Sequence, residues 1–180
     1  MDKDKEKIYI ILLHSKTMPS KIVKIFTKFK YSHVALSLDK NCETIYSFGR
    51  KKLNNSFNGG FVVENKDGQF FSKFNNTICK IYEVDVTKRQ KTNIMKRLNY
   101  MTKNEKIYKY DFLGLALRIF KININFKNRY VCSSFVSEIL EENYICHFGN
   151  DFIKPKDFEC LNFKTIYEGL YKNYNLTCVV

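Results

Sequence analysis

Apolar residues fill positions 8 to 13 without a break, Ile8-Tyr9-Ile10-Ile11-Leu12-Leu13, the length and character of a buried strand. From Ser20 to Lys30 the pattern changes period. Apolar residues at 22, 23, 25, 26 and 29 share one helical face, with Ser20 placed to cap it. Ser32–Leu38 and Glu43–Phe48 alternate like two strands around the turn Asp39-Lys40-Asn41-Cys42. Gly59-Gly60 precedes a short strand, Phe61–Glu64, and Thr77–Val86 is rich in β-formers. Thr87-Lys88-Arg89-Gln90 has the form of a capping box. The helix it starts runs to about Thr102 and is expected to bury Ile94, Met95, Leu98 and Met101. Asp111 would cap a helix over Phe112–Phe120. Pro155–Phe158 reads as a helical turn and Phe163–Tyr174 as a closing strand. Sequential strands with helices clustered late predict an α+β fold on an antiparallel sheet, in one domain spanning 1–180.

One helix carries the candidate chemistry. In Tyr130-Val131-Cys132-Ser133-Ser134-Phe135-Val136, small polar residues follow the thiol, and apolar residues recur at 135, 136, 139 and 140. Cys132 therefore falls in the first turn, where the helix dipole and unpaired N–H groups favour a thiolate. A thiolate becomes an effective nucleophile with a base nearby. The chain has three histidines, and His33 in Tyr31-Ser32-His33-Val34-Ala35-Leu36 is the best placed for that role. By alternation His33, Ala35 and Ser37 share one face, while Val34, Leu36 and Leu38 form the core face. A four-residue loop pairs Leu38 with Glu43 and sets Tyr46 opposite Ala35, on the face of His33. A slip of one residue brings Ser47 there instead. Taken singly, each residue also fits a plainer role: His33 as a satisfied strand histidine, Cys132 as a small buried hydrophobe. Tyr31 and Tyr130 are candidate oxyanion donors beside the N–H of Cys132. His14 and His147 are assigned no catalytic role, and Asp111 is read as a cap.

Several words together resemble a known superfamily. They are Leu13-His14-Ser15-Lys16-Thr17, Tyr31-Ser32-His33-Val34-Ala35-Leu36, Ile45-Tyr46-Ser47-Phe48-Gly49-Arg50 with Gly59-Gly60-Phe61-Val62, Lys109-Tyr110-Asp111-Phe112-Leu113-Gly114, and Tyr130-Val131-Cys132-Ser133-Ser134-Phe135. In that order they resemble the permuted NlpC-like branch of the papain-like fold, in which the histidine precedes the cysteine. That branch includes YiiX/YaeF-type and YycO-like proteins and the lecithin:retinol acyltransferase-like relatives. The resemblance implies a circularly permuted papain-like fold and a thiol hydrolase of the amidase or peptidase type. It makes Cys132 the nucleophile and His33 the general base. The third polar residue of the family is commonly His, Glu, Gln or Asn, where this chain offers Tyr46. A lipid or thioester acyltransferase on the same pair, and a binding protein with a relict site, are the alternatives.

Composition narrows the partners. Hydrophobic content of 44% with 16% aromatic residues fits a folded domain. The net charge is +13, supplied mostly by lysine and scattered along the chain. That balance fits a solvated surface or an anionic partner, and leaves room for transient contact with a membrane surface. No helix-turn-helix, RNA-recognition or zinc-knuckle words occur, so no nucleic-acid partner is expected. The six cysteines form no CxxC pair and no Cys/His spacing suited to zinc, so no metal and no cofactor are expected. The apolar run after the charged N-terminus is too short for a signal peptide or a membrane span, which points to a cytoplasmic location. A small peptide, amide or acyl compound is the expected substrate.

Overall fold

Strand-forming residues of two distinct periods build a sheet covered on both faces. The structure is a computed structural model and describes residues 4–15, 29–52, 55–114, 126–150 and 152–175. In chain order the strands are β1 (Lys5–His14), β2 (His33–Ser37), β3 (Thr44–Lys52), β4 (Asn55–Asn65), β5 (Ile78–Thr87), β6 (Lys109–Tyr110), β7 (Arg129–Tyr130) and β8 (Lys164–Leu170). The helices are α1 (Gln69–Lys73), α2 (Lys88–Lys103) and α3 (Cys132–Glu142), with 3-10 turns at Pro155–Cys160 and Tyr171–Asn173. The expected α+β class holds. The sheet, however, is mixed: its eight strands run β7-β6-β4-β3-β2-β1-β5-β8, and β6 and β7 pair in parallel while the other pairs are antiparallel. The proposed helix from Ser20 falls mainly, and the end of the helix from Phe112 wholly, outside the described residues.

The continuous apolar run of β1 is explained by its central position. Ile8, Ile10 and Leu12 join one buried cluster, and Tyr9, Ile11 and Leu13 join another on the opposite face. The first face is covered by α2 and α3. There Val34, Leu36, Phe48 and Phe61 meet Ile94, Leu98, Phe135 and Val136. The Phe135 ring lies 5.1 Å from that of Phe48 and 5.7 Å from that of Phe61. The second face carries Ala35, Ile45, Cys79 and Ile81 under Phe71 of α1 and Tyr171 and Tyr174 of the C-terminal turn. The Tyr171 hydroxyl donates to the Cys42 carbonyl, and that of Tyr174 to the Lys40 carbonyl, at 2.5 and 2.8 Å. These bonds tie the Tyr171–Tyr174 segment to the β2–β3 loop.

The capping box is present in full at Thr87 and Gln90. Such caps stabilise a helix by about 1 kcal/mol. Ile94, Leu98 and Met101 are buried as expected, but Met95 is 45% exposed, because it sits at the edge of the apolar arc. Gly59 and Gly60 do not precede a strand; they lie inside β4. There β6 passes so close that a Cβ on Gly60 would lie 2.5 Å from the Tyr108 carbonyl oxygen.

Candidate active site

Cys132 is the first residue of α3 and 5% exposed. Extended Val131 precedes it, with φ −94° and ψ 162°, and caps the helix through its backbone alone. The Val131 N–H donates to the Ser134 hydroxyl at 3.1 Å, and the Phe135 N–H to the Val131 carbonyl at 3.1 Å. Ser133 anchors the turn from outside, its hydroxyl donating to the Ile153 carbonyl at 2.6 Å. The small polar residues after the thiol therefore have structural work: Ser134 closes the turn, and Ser133 holds it against the 150s segment. Helix geometry leaves the first-turn N–H groups without intrahelical acceptors, which favours negative charge on the sulfur and on a carbonyl oxygen beside it.

His33 opens β2, paired with Leu13. Burial pushes its pKa down to about 4, so the imidazole is neutral at physiological pH. The register next to it differs from the expected one. Leu36, not Ala35, lies opposite Tyr46. Extended along the ladder, this sets Ser47 opposite Ala35 and Gly49 opposite His33. The position of a Cβ on Gly49 would lie 3.8 Å from His33 Cε1 and 4.0 Å from Ser47 Oγ, which fits that register. The cause lies in the loop. The Asp39 carboxylate accepts the N–H groups of Glu43 and Thr44 at 3.0 and 3.2 Å, and Cys42 takes a left-handed φ of 51°. Ser37 donates to the Thr44 carbonyl at 2.7 Å. These bonds draw one more residue into the loop than a four-residue turn holds. Tyr46 consequently turns to the helix-covered face, where its ring stacks on Phe61 at 6.4 Å.

The sheet thus sorts the candidates. Cys132 and Tyr46 pack with the cluster on the helix-covered face. His33 shares the face of its ladder partner Leu13 and of Ala35, which belong to the other cluster, and Ser47 follows by register. The Ser47 hydroxyl is fully buried and has no hydrogen-bond partner among the described residues. Neither candidate oxyanion phenol points to a developing charge. Tyr31 donates to Glu168 at 2.8 Å and Tyr130 to Glu138 at 3.1 Å. Burial, reinforced by the Glu138 charge, raises the Tyr130 pKa to about 12, so it stays a protonated donor.

Glu138 is the residue that sequence reasoning missed. It lies on α3, accepts from Tyr130 in the strand that leads into Cys132, and pairs with Arg97 of α2. Only the fold reveals this, since no local pattern links positions 97, 130 and 138. Asp111 is a cap as read: its carboxylate accepts the Gly114 N–H at 2.9 Å. His14 is buried with Nδ1 3.1 Å from the Ser32 hydroxyl, and exposed His147 lies 3.1 Å from Glu141. Among the described residues no group of His, Cys, Asp and Glu side chains is arranged to hold a metal ion, and no described cysteine forms a disulfide. A shallow recess of about 510 Å³ lies at the start of α2, lined by Lys88, Arg89 and Asn93 among others, and includes none of the candidate catalytic residues. No protein family, no curated protein and no solved structure matches this chain.

Proposed function

We propose that the chain is a cysteine-dependent acyl-transfer enzyme of the amidase or peptidase type, with Cys132 as nucleophile and His33 as general base. The observation that carries this reading is the thiol's place as first residue of an eleven-residue helix. In this reading the Cys132 proton passes to His33 as sulfur attacks the carbonyl carbon, a step that requires the imidazole to leave the face of Leu13 and Ala35 and meet the thiol. The oxyanion then collapses, the amine leaves with the proton from His33, and water hydrolyses the thioester to acid and thiol. Burial keeps His33 in the neutral form a base requires. It also makes the imidazolium costly unless an anion forms beside it. The permuted papain-like resemblance supports the same assignment, with lipid or thioester acyl transfer as a variant of it. A cytoplasmic setting, where thiols remain reduced, suits described cysteines that form no disulfide.

A second reading has its own observation. The neighbours of His33 lie on the face opposite the cluster that holds Cys132, as expected of a binding protein with a relict site. Alkylation kinetics separate the two. The enzyme reading predicts that Cys132 reacts near neutral pH at least about 10²-fold faster than the other cysteines, and that His33→Ala removes most of that advantage. Equal rates at all cysteines, unchanged in the His33 variant, would leave the binding reading in possession.

A further inference from the structure

We infer that the exposed face of α2, together with the segment that follows it to Leu113, docks on an anionic phospholipid bilayer. The helix carries six basic side chains and no acidic one. Two of the six are neutralised, Lys91 by Glu6 and Arg97 by Glu138 and Glu142. Lys88, Arg89, Lys96 and Lys103 are exposed and pair with no acid among the described residues. With 3.6 residues per turn these four share an arc of about 100°, turned away from the buried side chains, along roughly 22 Å of helix. Lys88 and Arg89 also oppose the helix dipole in the first turn, so packing of this helix gives no reason for cations there.

Charge alone would suit any polyanion, and the apolar residues choose among them. Five of the seven large hydrophobic side chains exposed among the described residues fall between positions 95 and 113. Met95, Ile107 and Leu113 are 45, 48 and 57% exposed. Aliphatic side chains gain little from a nucleic-acid backbone or from stacked bases. At the boundary between headgroups and acyl chains they would leave water, while the lysines of α2 reach the phosphates. No helix among the described residues is long and apolar enough to cross a membrane, so the contact is peripheral. The proposal does not depend on Cys132, because the surface is shared by neither candidate catalytic residue.

Vesicle sedimentation of the full chain tests it. Vesicles of phosphatidylcholine alone are compared with vesicles that also contain phosphatidylserine, across a salt series, with single-stranded and duplex DNA as competing probes. The unaltered protein should sediment with the anionic vesicles, weakly with neutral ones, and less as salt rises. Lys96→Gln with Lys103→Gln should weaken the partition about 30-fold, since each surface cation adds on the order of 1 kcal/mol. Ile107→Ser with Leu113→Ser should weaken it about tenfold through lost apolar burial. The proposal falls if the unaltered protein does not sediment with anionic vesicles or binds neutral ones equally. It also falls if DNA binds while vesicles do not, or if neither pair of substitutions changes the partition.

Discussion

At the scale of single residues, the hydroxyl of Ser47 is the sharpest test of the sheet's inner chemistry. It is fully buried between β2 and β4 and has no hydrogen-bond partner among the described residues. A buried polar group without a partner costs about 1–3 kcal/mol, whereas an alanine in the same space costs nothing of that kind. Ser47→Ala is therefore expected to stabilise the fold by about 1 kcal/mol, read as a raised urea midpoint at constant slope. A lowered midpoint would mean that the hydroxyl is bonded, with a bridging water to His33 the nearest explanation. The residue scale also shows why Tyr46 is the weaker partner for the histidine. A single carboxylate, Asp39, captures the backbone N–H groups of Glu43 and Thr44 at the entry to β3 and moves the whole ladder by one position.

Among the elements, β4 depends on its glycines. A Cβ on Gly60 would meet the Tyr108 carbonyl oxygen at 2.5 Å and Lys51 Cε at 2.7 Å. The lysine side chain can move aside, but the carbonyl is backbone and belongs to the segment that enters β6. Gly60→Ala should force that segment away and cost about 1–3 kcal/mol, measurable by urea denaturation with circular dichroism. Gly49→Ala, whose Cβ would make only ordinary contacts of 3.6 Å and longer, serves as the control. The same comparison shows what the sequence carries and what it hides. β1, β5, the Thr87 capping box and the Cys132 helix were legible because each is encoded within a dozen residues by period and cap. In the sequence the glycine pair reads as a strand boundary, since the reason for it, the backbone at Tyr108, lies about fifty residues later. The parallel pairing of β6 and β7 was hidden for the same reason: two residues on each side carry no period. Of the candidate site, the thiol and its helix were readable. The face taken by each partner depended on a loop length that only the Asp39 bonds decide.

For the whole molecule, two half-buried titrating groups set opposite demands on pH. Burial lowers the pKa of His33 from 6.5 to about 4, so between those values the unfolded chain holds a proton that the folded one lacks. Stability from this group is complete above pH 6.5 and is lost as pH falls towards 4. Glu64, on β4, behaves in the reverse sense. Burial raises its pKa from 4.5 to about 7, against the opposing pull of the Arg50 charge. Here the folded state holds the extra proton, so its contribution is complete below pH 4.5 and is lost as pH rises towards 7. Each group alone would give a slope of up to about 1.4 kcal/mol per pH unit, with opposite sign. The two windows overlap between pH 4.5 and 6.5, where the slopes cancel and the pair leaves the stability curve flat. Removing either partner should expose the other. Glu64→Gln should produce a protein that gains stability with rising pH across that interval, and His33→Gln one that loses it. Urea midpoints at several pH values across the interval check both. If the two variants share one slope, the two pKa values are not shifted in opposite directions, and the assignment of His33 as a neutral base loses its electrostatic support.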